Sequence, residues 1–96
     1  MFDKMKQLMD MQKKMQEIKR ELDNTNFEVS SSDGLIKITM NGSQEVREVK
    51  LSDISGVDRL KLEKSIQDAY NRAIKRSQEV AAAKMKSITG LNLPGL

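Results

Sequence analysis

The sequence predicts an α+β protein ordered α-β-β-β-α, a three-stranded antiparallel meander flanked by two long helices. Three patterns predict it. The first 24 residues carry apolar side chains at seven-residue spacing, residues 27–51 hold three stretches of strict alternation, and residues 58–89 contain neither proline nor glycine. A chain of 96 residues has room for one folding unit, 1–96. Its parts are a helix over 1–25, a sheet over 26–52, a second helix over 58–89 and a tail over 90–96. Hydrophobic residues are 38% and the aromatics are Phe2, Phe27 and Tyr70, so the private core is thin and seven methionines help to fill it.

In the first helix Met1, Leu8, Met15 and Leu22 share one heptad position, and Met11 and Ile18 follow three residues after the middle two. Lys4 and Thr25 interrupt the second row, so the seam is sound for about two heptads. Such a stripe fits a helix packed on its own domain and equally a seam between subunits.

The three strands are marked by Phe27-Glu28-Val29, Ile36 to Met40 and Val49-Lys50-Leu51. Asp33-Gly34 and Asn41-Gly42 separate them, and both dipeptides suit the positive φ of tight hairpins. The face bearing Phe27, Val29, Ile36, Ile38, Met40, Val49 and Leu51 needs a cover, for which the helices are the available material.

Asp58 is placed to cap the last helix and Gly90 to end it. Leu62, Ile66, Ala69, Tyr70, Ala73, Ile74, Val80 and Ala81 share one arc. About 30 helical residues make a rod of roughly 45 Å, against a diameter of roughly 32 Å for a compact chain of this size. The helix therefore either breaks near Ser77-Gln78 or projects and finds apolar contacts on another subunit. Leu62, Ile66, Tyr70, Ala73, Ile74 and Val80 are the expected dimer contacts.

Composition excludes much chemistry. The chain has no cysteine and no histidine, hence no disulfide, no thiolate nucleophile and none of the commonest acid–base and zinc-binding groups. Ser30-Ser31-Ser32 has no histidine to activate it, and no glycine-rich phosphate loop occurs. The expectation is a protein that is not an enzyme and takes no cofactor, metal or small-molecule substrate. Without a secretory signal or a membrane-length apolar run, it is expected in the cytoplasm.

Seventeen basic and fourteen acidic residues give a net charge of +3, unevenly spread. Residues 57–96 hold eight basic and four acidic side chains, whereas 26–56 hold three and five. Arg72, Lys75 and Arg76 stand together on the arc away from the apolar residues, with Asp68 and Glu79 as partial partners, and Lys84 and Lys86 extend the positive character. On the first helix Lys6, Lys13 and Arg20 recur every seven residues, but Asp3, Asp10 and Glu17 precede each by three and can half-neutralise the stripe. Helical cations at this density fit phosphate contacts to duplex nucleic acid and also a solvated surface. No aromatic interleaves them, so stacking on single strands is not expected. No groove-reading motif accompanies them either. A parallel in-register pairing of the first helix sets Lys14 near the partner's Lys19 and gains nothing from charge, so dimerisation through a parallel zipper is not expected.

Several strings, in this order, carry a resemblance: Met1-Phe2 opening a helix with Met5, Leu8, Met11, Gln12 and Met15; Gly34-Leu35-Ile36-Lys37-Ile38-Thr39-Met40-Asn41-Gly42; Val46 to Leu51; Ala69-Tyr70-Asn71-Arg72-Ala73; Lys84-Met85; and Leu93-Pro94-Gly95. Taken together the chain resembles the YbaB/EbfC family of bacterial nucleoid-associated proteins over essentially its full length. The resemblance implies a tweezer-shaped homodimer that binds duplex DNA with at most modest sequence preference. Three features depart from the family pattern: Arg72 where members usually have Asp, Ser52-Asp53-Ile54 for an Asp-Pro, and no glycine-rich lead. Asn71 is a family-like position, open to DNA contact or to a packing role.

The function expected on these grounds is that of a nucleoid-associated homodimer holding duplex DNA through phosphates, with Lys6, Lys13, Arg20, Arg72, Lys75, Arg76, Lys84 and Lys86 as the DNA-binding set. A protein-interaction module using the methionine-rich helix is the alternative.

Overall fold

The computed structural model describes residues 2–89, the side chains of Phe2, Ile88 and Thr89 excepted. The elements are α1 (Phe2–Asp23), β1 (Asn26–Ser30), β2 (Ile36–Asn41), β3 (Val46–Leu51) and α2 (Arg59–Thr89). The strands form one antiparallel sheet in the order β1-β2-β3, with Val29 opposite Ile38 and Ile36 opposite Leu51. The expected α-β-β-β-α order is therefore found. Met1, the expected cap at Gly90 and the tail lie outside the described residues.

The core sits where α2 crosses β2. Ile36, Ile38 and Met40 point up from the strand and meet Ala69 and Ala73. Ser65, Ala69, Ala73 and Ser77 recur every four residues on α2 and all are buried, a stripe of small side chains that lets the helix backbone settle close to the sheet. Asp58 caps α2 as expected, its carboxylate accepting the Lys61 N–H at 2.8 Å.

One expectation fails at the third strand. Val46, Val49 and Leu51 lie opposite the buried Met40, Ile38 and Ile36, yet they are 44%, 54% and 52% exposed. Geometry supplies the reason: a helix about 10 Å across roofs only two strands spaced about 4.8 Å apart. Here α2 lies over β1 and β2, and α1 packs against α2 rather than across the sheet. The apolar face is half covered.

The second turn also departs from expectation. The positive φ of the β2–β3 connection falls on Gln44 (φ 63°) and not on Gly42. Gly42 is needed for proximity instead: a Cβ there would stand 2.8 Å from Leu22 Cδ2 and 3.2 Å from Leu22 Cα. Its N–H donates to the Leu22 carbonyl at 3.0 Å, which seats the end of α1 directly on the turn.

The fully buried Asn41 organises this corner. Its amide Nδ2 donates to the Asp23 carbonyl at 3.1 Å, and its Oδ1 accepts the N–H groups of Ser43 and Glu45, both at 3.0 Å. The Ser77 hydroxyl donates to the Asn41 carbonyl. One residue thus fixes α1 and the hairpin through its side chain and α2 through its backbone carbonyl.

Past Ser77 the last helix continues unbroken, which decides between the two alternatives in favour of a projecting rod. It runs antiparallel to α1, with Lys84 Nζ 3.6 Å from the Glu21 carboxylate and Met85 beside Met15 and Ile18. The chain is 67 Å long and 24 Å by 17 Å across, a small sheet with a two-helix arm.

Candidate nucleic-acid interface

On α2, Arg72, Lys75, Arg76 and Glu79 line a shallow groove of about 470 Å³ together with Val29 at the β1 edge. Helical spacing turns these cations away from Ile66 and Tyr70. The two arginines are tethered within their own helix, Arg72 Nε to Asp68 at 3.0 Å and Arg76 Nη1 to Glu79 at 3.5 Å. Such exposed pairs are worth only about 0–1 kcal/mol, so the guanidinium groups can exchange a carboxylate for a phosphate at little cost. Lys75 makes no ion pair among the described residues.

The β1–β2 turn is locked beside this groove. Asp68 accepts the Ser32 N–H at 2.8 Å, and this bond, with the neighbouring Arg72, lowers its pKa. Asp33 accepts the hydroxyl groups of Ser31 and Ser65 and the Leu35 N–H. Those bonds, the two hydroxyls first, hold its carboxyl down at about 2. Gly34, at φ 77°, supplies the left-handed turn residue expected here.

The remaining cations lie on the arm. Lys84 is paired with Glu21 across the helices, and Lys86 is exposed. Lys6, Lys13 and Arg20 are exposed and spread along roughly 21 Å of α1. Among the described residues no ion pair within 4 Å joins them to Asp3, Asp10 or Glu17; the α1 carboxylates that do form such pairs are Asp23, with Lys19, and Glu21, with Lys84. The structure brings Arg72, Lys75 and Arg76 into one groove and leaves the α1 stripe as a separate line of charge.

The expected dimer residues divide. Ile66 and Tyr70 are each 47% exposed, Leu62, Ile74 and Val80 are half-buried, and Ala73 has no exposed surface because it sits in the protomer's own core. Val46, Val49 and Leu51, which are not in the expected dimer set, also stand uncovered. The alternation of Val49 and Leu51 was legible, but the register shift that sets Val46 opposite Met40 and the width of the helical cover were not. Asn71 is exposed, and its side chain makes no hydrogen bond among the described residues. Among those residues no three potential metal ligands converge, and no helix is long and apolar enough to cross a membrane.

Fold and charge together define a class: a small α-β-β-β-α protein with its cations on two helices and an open apolar edge on its sheet. The chain belongs to the YbaB/EbfC DNA-binding family, whose model matches residues 1–92. It is 40% identical to a nucleoid-associated protein of Dictyoglomus turgidum, covering 97% of this chain and 92% of that one. A nucleoid-associated protein of Clostridium acetobutylicum is 33% identical over 95% of this chain and 84% of its own length. In architecture the chain is similar to a crystal structure of an uncharacterized Helicobacter pylori protein, with a TM-score of 0.77, 19% identity and coverage of 93% and 97% of the two chains.

Proposed function

We propose that this protein is a nucleoid-associated protein that binds duplex DNA as a homodimer, mainly through phosphates and with modest or no sequence preference. The observation that carries the reading is the set of exposed helical cations that form no ion pair among the described residues, Lys6, Lys13, Arg20, Lys75 and Lys86, beside the weakly tethered Arg72 and Arg76. Fixed on two helices and unaccompanied by aromatics, such cations displace the counterions condensed on a duplex and read little of its sequence. The names of the Dictyoglomus and Clostridium relatives support a place on the nucleoid, in the cytoplasm.

The homodimer is supported by the uncovered sheet face. Val46, Val49 and Leu51 on β3 and Ile66 and Tyr70 on α2 lie on one side of the protomer, and a second copy brought there by a two-fold axis covers both sets at once. Pairing through that face doubles every cation cluster and leaves the two arms free to flank a duplex. It does not use α1, in keeping with the poor charge match of a parallel zipper. Electrophoretic mobility shift with a random-sequence duplex tests the reading. Retardation is expected at 50 mM salt and is weakened about tenfold or more at 200 mM. No retardation at low salt, or retardation indifferent to salt, contradicts it.

A further inference from the structure

The two carboxylates at the basic groove are held in different ways. Asp68 divides its oxygens: Oδ2 accepts the Ser32 N–H at 2.8 Å, and Oδ1 accepts the Arg72 Nε–H at 3.0 Å. Ser32 lies in the β1–β2 turn, whose shape is kept by the bonds to Asp33 and by Gly34. Glu79 has Arg76 as its one partner among the described residues, at 3.5 Å, and its side chain is 55% exposed against 36% for Asp68. Asp68 is thus fixed from the sheet, and Glu79 only from its own helix.

The atom through which Arg72 is held matters as much as the anchor. Its bond to Asp68 uses Nε alone, and Nη1 and Nη2 donate to nothing among the described residues. Those two nitrogens form the end of the guanidinium fork, and two parallel N–H groups are what an arginine presents to a pair of phosphate oxygens. Arg72 can therefore take a phosphate at the groove and keep its carboxylate. An arginine without a tether gives up rotamer freedom when it binds, whereas one already held by Nε has less to lose.

We propose that Asp68 is a positioning residue of the DNA interface: a carboxylate anchored on the β1–β2 turn that holds Arg72 by Nε, so that Nη1 and Nη2 grip one phosphate of the duplex. Resting on the phosphate reading above, this role reverses the plain electrostatic expectation, in which every carboxylate beside the groove opposes a polyanion. Glu79 follows that expectation. Asp68, although it carries the same charge, strengthens the interface by way of Arg72.

The sign of a substitution's effect tests this, read by fluorescence anisotropy of the full chain on a random-sequence duplex at about 50 mM salt. Asp68→Asn keeps an oxygen for the Ser32 N–H but turns toward Arg72 an amide nitrogen that accepts nothing. It removes a negative charge, yet it is expected to weaken binding about two- to fivefold, the scale of one exposed tether. Glu79→Gln removes the same charge and is expected to bind at least as tightly as the unaltered protein. In a chain that already carries Arg72→Ala, Asp68→Asn is expected to cause no further weakening, whereas a merely structural role at the turn would weaken both chains alike. Tighter or unchanged binding by Asp68→Asn, or equal weakening with and without Arg72, overturns the proposal. If the unaltered protein does not bind, or binds without regard to salt, the phosphate reading fails and this role with it. Salt-dependent binding of the unaltered protein confines either adverse result to Asp68.

Discussion

The Ser77 hydroxyl donates to the backbone carbonyl of Asn41 across 3.1 Å, with both residues fully buried. This bond ties the middle of α2 to the end of β2, at the point where the helix leaves the sheet. The Asn41 side chain extends the same node to α1 through Asp23, so the arm's angle to the sheet rests on two polar residues.

Replacing Asn41 by alanine strips the Ser43 and Glu45 N–H groups and the Asp23 carbonyl of a partner at a buried corner. Asn41→Ala is expected to lower stability by about 1–3 kcal/mol. Ser77→Ala is expected to cost less, about 0.5–1.5 kcal/mol, because the Asn41 carbonyl still accepts the Gln44 N–H at 3.2 Å. Urea unfolding followed by circular dichroism checks the order of the two.

Gly42→Ala drives a methyl group against Leu22. The side-chain atom at 2.8 Å can swing aside, but the Leu22 backbone at 3.2 Å belongs to the last turn of α1 and moves only with it. A loss of about 1–3 kcal/mol is expected, the usual range for overpacking, with hydrogen exchange quickening first in α1. Unchanged exchange there excludes a seat of α1 on this turn.

Stability depends on pH through the β1–β2 turn. Asp33 has a folded value of about 2 against 3.8 when unconstrained, so the unfolded state takes up its proton first as the solution is acidified. Its contribution is whole above pH 4 and is lost as pH falls toward 2. The urea midpoint is expected to drop across that window, and Asp33→Asn is expected to flatten part of the drop. Lowered values at Asp23, Asp53 and Asp68 act in the same direction.

Much of the fold was legible because its signals are local. Asp58 reads as a cap from its place before an uninterrupted helical run, and the alternation from Phe27 to Val29 and from Ile36 to Met40 predicts the pairing found. What escaped is set by shape and distance. Gly42 looks like a turn glycine, and only the approach of Leu22 shows why no side chain fits. Val49 looks like core, and only the width of α2 shows why it stays exposed. At the candidate site Arg72, Lys75 and Arg76 were legible as a cluster, whereas the spacing of Asp3, Asp10 and Glu17 did not reveal that the α1 carboxylates in ion pairs are Asp23 and Glu21.

Val49 and Tyr70 offer a test of assembly. Both are about half exposed in the protomer, so Val49→Glu with Tyr70→Glu is expected to leave helix content unchanged while halving the mass in sedimentation equilibrium. A mass unaltered by the pair of substitutions places the dimer contact elsewhere.

The central claim, that helical cations hold duplex DNA through its phosphates, is tested most directly by fluorescence anisotropy over a salt series. The logarithm of affinity is to be followed for the unaltered protein and for a chain carrying Arg72→Ala, Lys75→Ala and Arg76→Ala. For every phosphate that the altered chain no longer neutralises, the slope against the logarithm of salt is expected to fall by about 0.9, with weaker binding on every duplex alike. An unchanged slope and affinity contradict a phosphate site on α2.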